Sequence, residues 1–192
     1  DNKSRAYGAA NPTFTASYSG FVNSDTDAVV GGTPDFSTTA TTNSSVAGSP
    51  YAITPSLGSL TADNYDFTTF VDGNLTITTP VLTVTADNTN RVYGASNPTF
   101  TASYSGFVNG EDASVLSGSP SLSTTATVDS PVGLYPITAA LGTLSAANYT
   151  FSFAEGTLTI GPAILTGTAD DQSRPYGETN PVFTVTYAGF VN

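Results

Sequence analysis

Cysteine, methionine, histidine and tryptophan are absent from the 192 residues, and lysine occurs once, at Lys3. Without Cys or His there are no disulfides, no thiolate or imidazole metal ligands, and no Ser-His or Cys-His nucleophilic pair. Intramolecular isopeptide cross-links need a Lys in each domain, and the second copy has none, so they are excluded there. Basic residues are equally scarce: four Lys and Arg face fifteen Asp and Glu, for a net charge of −11. A chain this acidic is repelled by nucleic acid and by anionic membranes, where binding depends on Lys and Arg displacing counterions. No apolar run approaches the roughly 20 residues that cross a bilayer, so no membrane insertion is expected in this segment. No Asp or Glu pair sits in a distinctive constellation for acid–base work. The chain is therefore not read as an enzyme, and no catalytic residue or cofactor is assigned.

What is present supports folded, turn-rich domains. Hydrophobic residues make up 39% of the chain, and eleven Phe with ten Tyr can furnish cores. Eighteen Gly and twelve Pro supply turns without reaching the density of a low-complexity tail. With charged residues at 10%, Thr, Ser and Asn carry much of the solubility.

Self-similarity organises everything else. Residues 1–23, DNKSRAYGAANPTFTASYSGFVN, return at 87–109 as DNTNRVYGASNPTFTASYSGFVN and, more loosely, at 170–192 as DDQSRPYGETNPVFTVTYAGFVN. The period is 86 residues from Asp1 to Asp87 and 83 from Asp87 to Asp170. That is a small domain, not a solenoid rung of about 20 to 50 residues. We divide the chain into repeat 1 (1–79), repeat 2 (80–162) and a partial repeat 3 (163–192). The alternating VLTVTA before Asp87 and AILTGTA before Asp170 have no counterpart before Asp1. The first repeat is thus expected to lack the front of a strand, and the chain to be a piece of a longer array.

Within repeat 2, Leu82, Val84 and Ala86 alternate with Thr, as do Phe100, Ala102 and Tyr104 with Thr and Ser. This period of two, rich in β-branched and aromatic residues, predicts half-buried strands. The same pattern covers residues 135–141, 149–153 and 158–160, with Gly156 read as a bulge. Between the second and third strands, NGEDASVLSG (109–118) offers a cap, early acids and a terminal Gly. It predicts a helix of about two turns. Short Pro-containing connectors, TTPV and GPAI, leave little room for flexing and predict an end-to-end rod.

One motif recurs in all three copies, Arg-x-Tyr-Gly-x-x-Asn-Pro: Arg5, Tyr7, Gly8, Asn11 and Pro12; Arg91, Tyr93, Gly94, Asn97 and Pro98; Arg174, Tyr176, Gly177, Asn180 and Pro181. Arg could grip a carboxylate or a sugar while Tyr stacks. The structural reading is preferred: Gly permits an unusual backbone angle, Asn-Pro turns the chain into the next strand, and Tyr plugs a core edge. The Asp four residues before each Arg (Asp1, Asp87, Asp170) is a candidate ion-pair partner. Calcium, which stiffens some acidic extracellular arrays, needs about six to eight converging oxygens. Here the acids are scattered; Asp25 and Asp27 come nearest, and Ala113 breaks the pattern in the second copy. The charge is read as a solvated surface.

Four motifs in fixed order, RVYGASNPTF (91–100), GLY (133–135), LSAANY (144–149) and EGTLTI (155–160), together resemble the MBG domain of the YGX type. The resemblance spans essentially the whole chain. It implies a β-grasp-like fold, a mixed sheet curling over a short helix, in tandem arrays of secreted and surface-anchored bacterial proteins, many of them adhesins. The expected class is mostly β (α+β), with one short helix per repeat; immunoglobulin-like sandwich repeats are the alternative. The expected role is an extracellular stalk or spacer that projects a distal binding domain from a cell surface. Alternatives are a repeat that weakly binds a surface glycan or protein by avidity, and a self-associating filament component. The expected partners are neighbouring repeats, other copies of the chain, and an unnamed surface glycan or protein.

Overall fold

A computed structural model describes residues 1–191. Two compact units divide the chain without following its period. The first comprises Asp1–Thr83, Tyr104–Gly118 and Leu144–Ser152; the second comprises Val84–Ser103, Ser119–Thr143 and Phe153 onward.

In the first unit, β1 (Lys3–Ala6), β2 (Asp35–Ser37), β3 (Tyr51–Ser56) and β4 (Gly73–Thr78) form a mixed sheet in the order β1-β4-β3-β2. β1 lies parallel to β4, and the other pairs are antiparallel. In β4 the alternation is complete: Gly73, Leu75 and Ile77 are buried, while Asn74, Thr76 and Thr78 face out. One core cluster gathers Ala40, Ile53 and Leu75 with Phe14, Phe36 and Tyr51 against them.

Repeat 2 begins with β5 (Val81–Ala86), followed by β6 (Thr89–Val92), β7 (Ala102–Ser105), β8 (Ser121–Ser123), β9 (Gly133–Ala140), β10 (Thr150–Ala154) and β11 (Gly156–Gly161). The second unit holds the sheet β6-β11-β9-β8, built on the same plan, with β6 parallel to β11. Its core is Ala86, Ala126, Ile137, Leu158 and Ile160. A further sheet has the order β10-β5-β7. β5 has the alternation expected of it, with Leu82, Val84 and Ala86 buried. β12 (Thr166–Ala169) and β13 (Val185–Ala188) form an antiparallel hairpin.

The fold is mostly β, mixed-sheet and repeated, which supports the β-grasp-like expectation over the sandwich. Three details differ from the sequence reading. The helix is shorter: the chain makes a single 3-10 turn at Asp27–Val29 and at Ala113–Val115. Its caps are Thr26 and Asp112, whose side chains accept from Ala28 N and Ser114 N. The turn ends at once because the following residues are drawn into bridges, Gly31 with Thr61 and Ser117 with Ser145. Tertiary pairing outweighs a weak local helix preference.

Two short strands, β6 and β8, also escaped the pattern. TNRV and SLS hold one apolar residue each and so show no alternation, and their neighbours β11 and β9 define them. Finally, Gly156 is not a bulge. It opens β11 in regular register with Ile137 and is buried. A Cβ there would stand 2.3 Å from the carbonyl oxygen of Ala86, so the glycine is required by close backbone approach. Gly156→Ala should therefore cost about 3 kcal/mol or more. A urea denaturation midpoint equal to that of the parent chain would refute this.

Candidate functional site

The recurrent Arg is buried in two of its three copies, at 7% exposure for Arg5 and 8% for Arg91. Burying a cation is costly unless its donors are matched. Arg91 Nε donates to Asn97 Oδ1 at 2.7 Å, and its terminal nitrogens donate to the carbonyls of Val92 and Thr127. Asn97 Nδ2 then donates to Ala126 O at 2.7 Å. The first repeat reproduces this: Arg5 to Asn11 at 2.8 Å, to Ala6 O and Thr41 O, and Asn11 to Ala40 O at 2.8 Å. The guanidinium fork thus ties β1 or β6 to the Asn-Pro turn and to a distant loop. Pro12 and Pro98 are half-buried beside the asparagines. In the third copy Arg174, Tyr176, Gly177 and Asn180 are exposed, Pro181 is half-buried, and Arg174 reaches the Glu178 carbonyl.

The aspartate before each arginine does not serve it. Asp87 instead accepts from Thr101 and Ser103, Asp1 from Thr15 and Ser17, and Asp170 from Thr184 and Thr186. Ser103 first and Thr101 second hold the Asp87 carboxyl below its ordinary value. These hydroxyls favour the carboxylate, so the clamp persists at neutral pH and is lost only as acid protonates it.

The Arg clamp leads directly into the Tyr-Gly step, and there the repeats meet. Tyr7 is 5% exposed and joins Ile77, Leu82 and Tyr149 in one core cluster of the first unit, with Val46, Phe107, Val108 and Leu116 packed around them. The rings of Tyr7 and Tyr149 meet edge to face at 6.0 Å, and Phe107 packs likewise on Tyr149 at 5.9 Å. Above them Glu111 takes both phenols: Tyr7 donates to Oε1 at 2.6 Å and Tyr149 to Oε2 at 2.5 Å. Val108 N donates to the Tyr149 oxygen at 3.2 Å. Asn148 Oδ1 accepts from Val46 N at 3.0 Å, and Asn109 Nδ2 donates to Asn43 Oδ1 at 2.5 Å. So residues 7, 43 and 46 of repeat 1 are fastened to residues 108, 109, 111, 148 and 149 of repeat 2 by an apolar cluster capped with hydrogen bonds.

Gly8 completes the fit. Its φ is +80°, and a Cβ would lie 2.9 Å from Val108 Cγ2. Gly94 repeats this at +81°, with Val191 Cβ at 2.7 Å in the second unit. Each glycine is therefore a seat for a valine of the next repeat, Val108 or Val191. Both carboxylate oxygens of Glu111 are engaged by phenols, so the group fastens rings and is not presented to a substrate. Among the described residues no group of three acids could hold a metal ion.

Of this site the motif supplied Tyr7 and Gly8. Glu111, Val108, Asn109, Asn148 and Tyr149 were missed, because their pairing needs contacts across roughly a hundred residues. A faint signal was present: Tyr65 donates to Asp25 in repeat 1 at 2.8 Å, so an acid and a Tyr recur together at the same two places.

Tyr7 has its pKa raised, first by the hydrogen bond to Glu111 and then by burial; for Tyr149 burial leads and Glu111 follows. The fold thus favours the neutral phenols. Their contribution is complete below the ordinary tyrosine value of about 10 and declines as pH rises beyond it. Tyr7→Phe should lower stability by roughly 1.5 to 3 kcal/mol at pH 7, and its stability should fall less steeply than the parent's between pH 9 and about pH 11. Parallel alkaline limbs in urea titrations would count against the assignment. Arg91→Lys should lose about 2 kcal/mol, since an ammonium cannot span the same acceptors; an unchanged unfolding midpoint would contradict the clamp.

Comparison with protein families finds the MBG domain (YGX type) over residues 1–76, 82–159 and 165–192. Neither the curated proteins nor the solved structures give a match. With nearly every residue inside three successive matches, and with the first two copies sharing the same Arg clamp and glycine seat, this protein belongs to the MBG (YGX type) domain family as a tandem-repeat member.

Proposed function

We propose that the chain is a spacer segment of a large bacterial surface or secreted protein, holding a distal binding domain away from the cell. The observation that carries this is the junction of Tyr7, Gly8, Val108, Glu111 and Tyr149. A linker would leave repeats independent, whereas a shared apolar cluster makes each repeat's position depend on its neighbour. The glycine seat recurs at Gly94 and Val191, so that part of the device is suited to serial use. The family supports an extracellular setting and a structural repeat role. No enzymatic role is proposed.

Strand placement supports load bearing as well. The first strand of each four-stranded sheet lies parallel to its last, β1 beside β4 and β6 beside β11. Tension through the two ends would load that ladder in shear, where several hydrogen bonds must fail together.

Engineered arrays with increasing numbers of repeat 2 should show a maximum dimension in small-angle scattering that grows linearly with repeat number. In single-molecule stretching, each repeat should unfold as one event that releases about 280 Å of contour. Unfolding at negligible force, or a dimension that saturates with repeat number, would dispose of the spacer reading. Binding to a glycan or matrix-protein array that strengthens with repeat number would favour an adhesive role for the repeats themselves.

A further inference from the structure

Asn109–Gly110 is the one Asn-Gly step in the chain, and it lies within the junction between the first two repeats. It turns the backbone between two residues that each touch repeat 1. Val108 occupies the space beside Gly8, and Glu111 accepts from Tyr7 at 2.6 Å. Asn109 makes a third contact through Nδ2, which donates to Asn43 Oδ1 at 2.5 Å. The turn itself is tight. Asn109 and Gly110 have φ of +61° and +74°, the left-handed pair of angles that a type I′ turn requires, and Glu111 N closes it on Val108 O at 3.1 Å.

Asparagine is among the thermally labile side chains. A following glycine leaves it most open to attack, because no Cβ shields the backbone nitrogen next to its amide carbon. The surroundings of this step add to that. Both residues are exposed, and a Cβ built on Gly110 meets no atom beyond its chain neighbours within 4 Å. No acceptor among the described residues takes the Gly110 N–H. Solvent base therefore reaches the nitrogen, and there is room for a ring to close. Repeat 1 makes the same turn with Asn23 and Ser24, at φ of +55° and +67°, and closes it with Asp25 N on Val22 O at 3.0 Å. There the attacking nitrogen would belong to a residue with a Cβ.

We propose that Asn109 is a self-modifying site, whose spontaneous conversion to isoaspartate releases the junction between repeats 1 and 2. The Gly110 nitrogen, losing its proton to solvent base, attacks Asn109 Cγ; the new N–Cγ bond displaces Nδ2, which leaves as ammonia. Water then opens the cyclic imide. Cleavage at the former main-chain carbonyl gives isoaspartate, and cleavage at Cγ gives aspartate. One water is taken up and one ammonia lost, with nothing oxidised or reduced. Isoaspartate routes the main chain through Cγ and lengthens it by one methylene, about 1.5 Å. Val108 and Glu111 then lose the spacing that seats one beside Gly8 and the other against the Tyr7 phenol. Nδ2 is gone as well, so Asn43 Oδ1 loses that donor. The reaction is one covalent step in the turn and does not depend on the spacer reading.

Ageing the 192-residue chain in warm, mildly alkaline buffer tests it. Peptide mass spectrometry should find the amide-to-acid mass gain at Asn109 well ahead of Asn23, with isoaspartate there accepting a methyl group from an isoaspartyl methyltransferase. Gly110→Ser, which copies the turn of repeat 1, should slow the conversion about tenfold or more. The amide of Val46 donates to Asn148 across the junction at 3.0 Å. Its protection from hydrogen exchange should fall in step with conversion in the parent chain and persist in the aged Gly110→Ser chain. Conversion at Asn109 no faster than at Asn23 would overturn the proposal. Full conversion that leaves Val46 as protected as in the fresh chain would overturn it equally.

Discussion

A buried guanidinium held by carbonyls and an asparagine sets the terms for the rest of each of the first two repeats. Arg5 and Arg91 leave water, and the effective cost of moving such an ion inward is several kcal/mol. Carbonyls and an asparagine oxygen offset it by meeting the donors in their planar fork. The interaction must be geometrically complete to be stable at all, and so it locks three things together: a short edge strand, an Asn-Pro turn and a loop some thirty residues away. Charge neutralisation by Asp would have freed the loop. The aspartate's own use, clamping two hydroxyls across β5 and β7 territory, keeps it out of that role.

From that fixed strand the Tyr-Gly step emerges with little freedom. The aromatic ring of Tyr7 turns into the cluster shared with repeat 2, and Gly8 leaves the space that Val108 occupies. Burial of a ring of this size is worth on the order of 2 kcal/mol, and the Glu111 bridge satisfies both phenols that the burial would otherwise strand. Polar and apolar contributions therefore support the same geometry. The first repeat of this chain is not a bead with a private core alone; part of its apolar surface finds its partner in the following repeat. Such a unit works best in series, and this is the physical link between the motif and the proposed spacer role.

Some of this was legible in the residues. Alternation exposed β5, β7, β9, β10 and β11 because each buries one face for at least a few residues. β6 and β8 were not visible, since TNRV and SLS hold one apolar residue each and carry no periodic signal of their own. The expected helix shrank to one 3-10 turn because Ser117 and Gly31 are captured by bridges to distant residues. The motif pointed to Tyr7 and Gly8, but it could not say that the tyrosine faces another repeat. Glu111, 104 residues from Tyr7, belongs to no local pattern.

The thirteen residues NPTFTASYSGFVN occur identically at 11–23 and at 97–109, and they separate the two kinds of information. By itself the sequence determined the repeat, the mostly β class and the family, because composition, period and alternation are properties of the chain alone. Only the tertiary structure decided that residues 102–105 are a strand while 16–19 are not. A strand is defined by backbone hydrogen bonds to a neighbour, and residues 102–105 find that neighbour in Val81–Ala86.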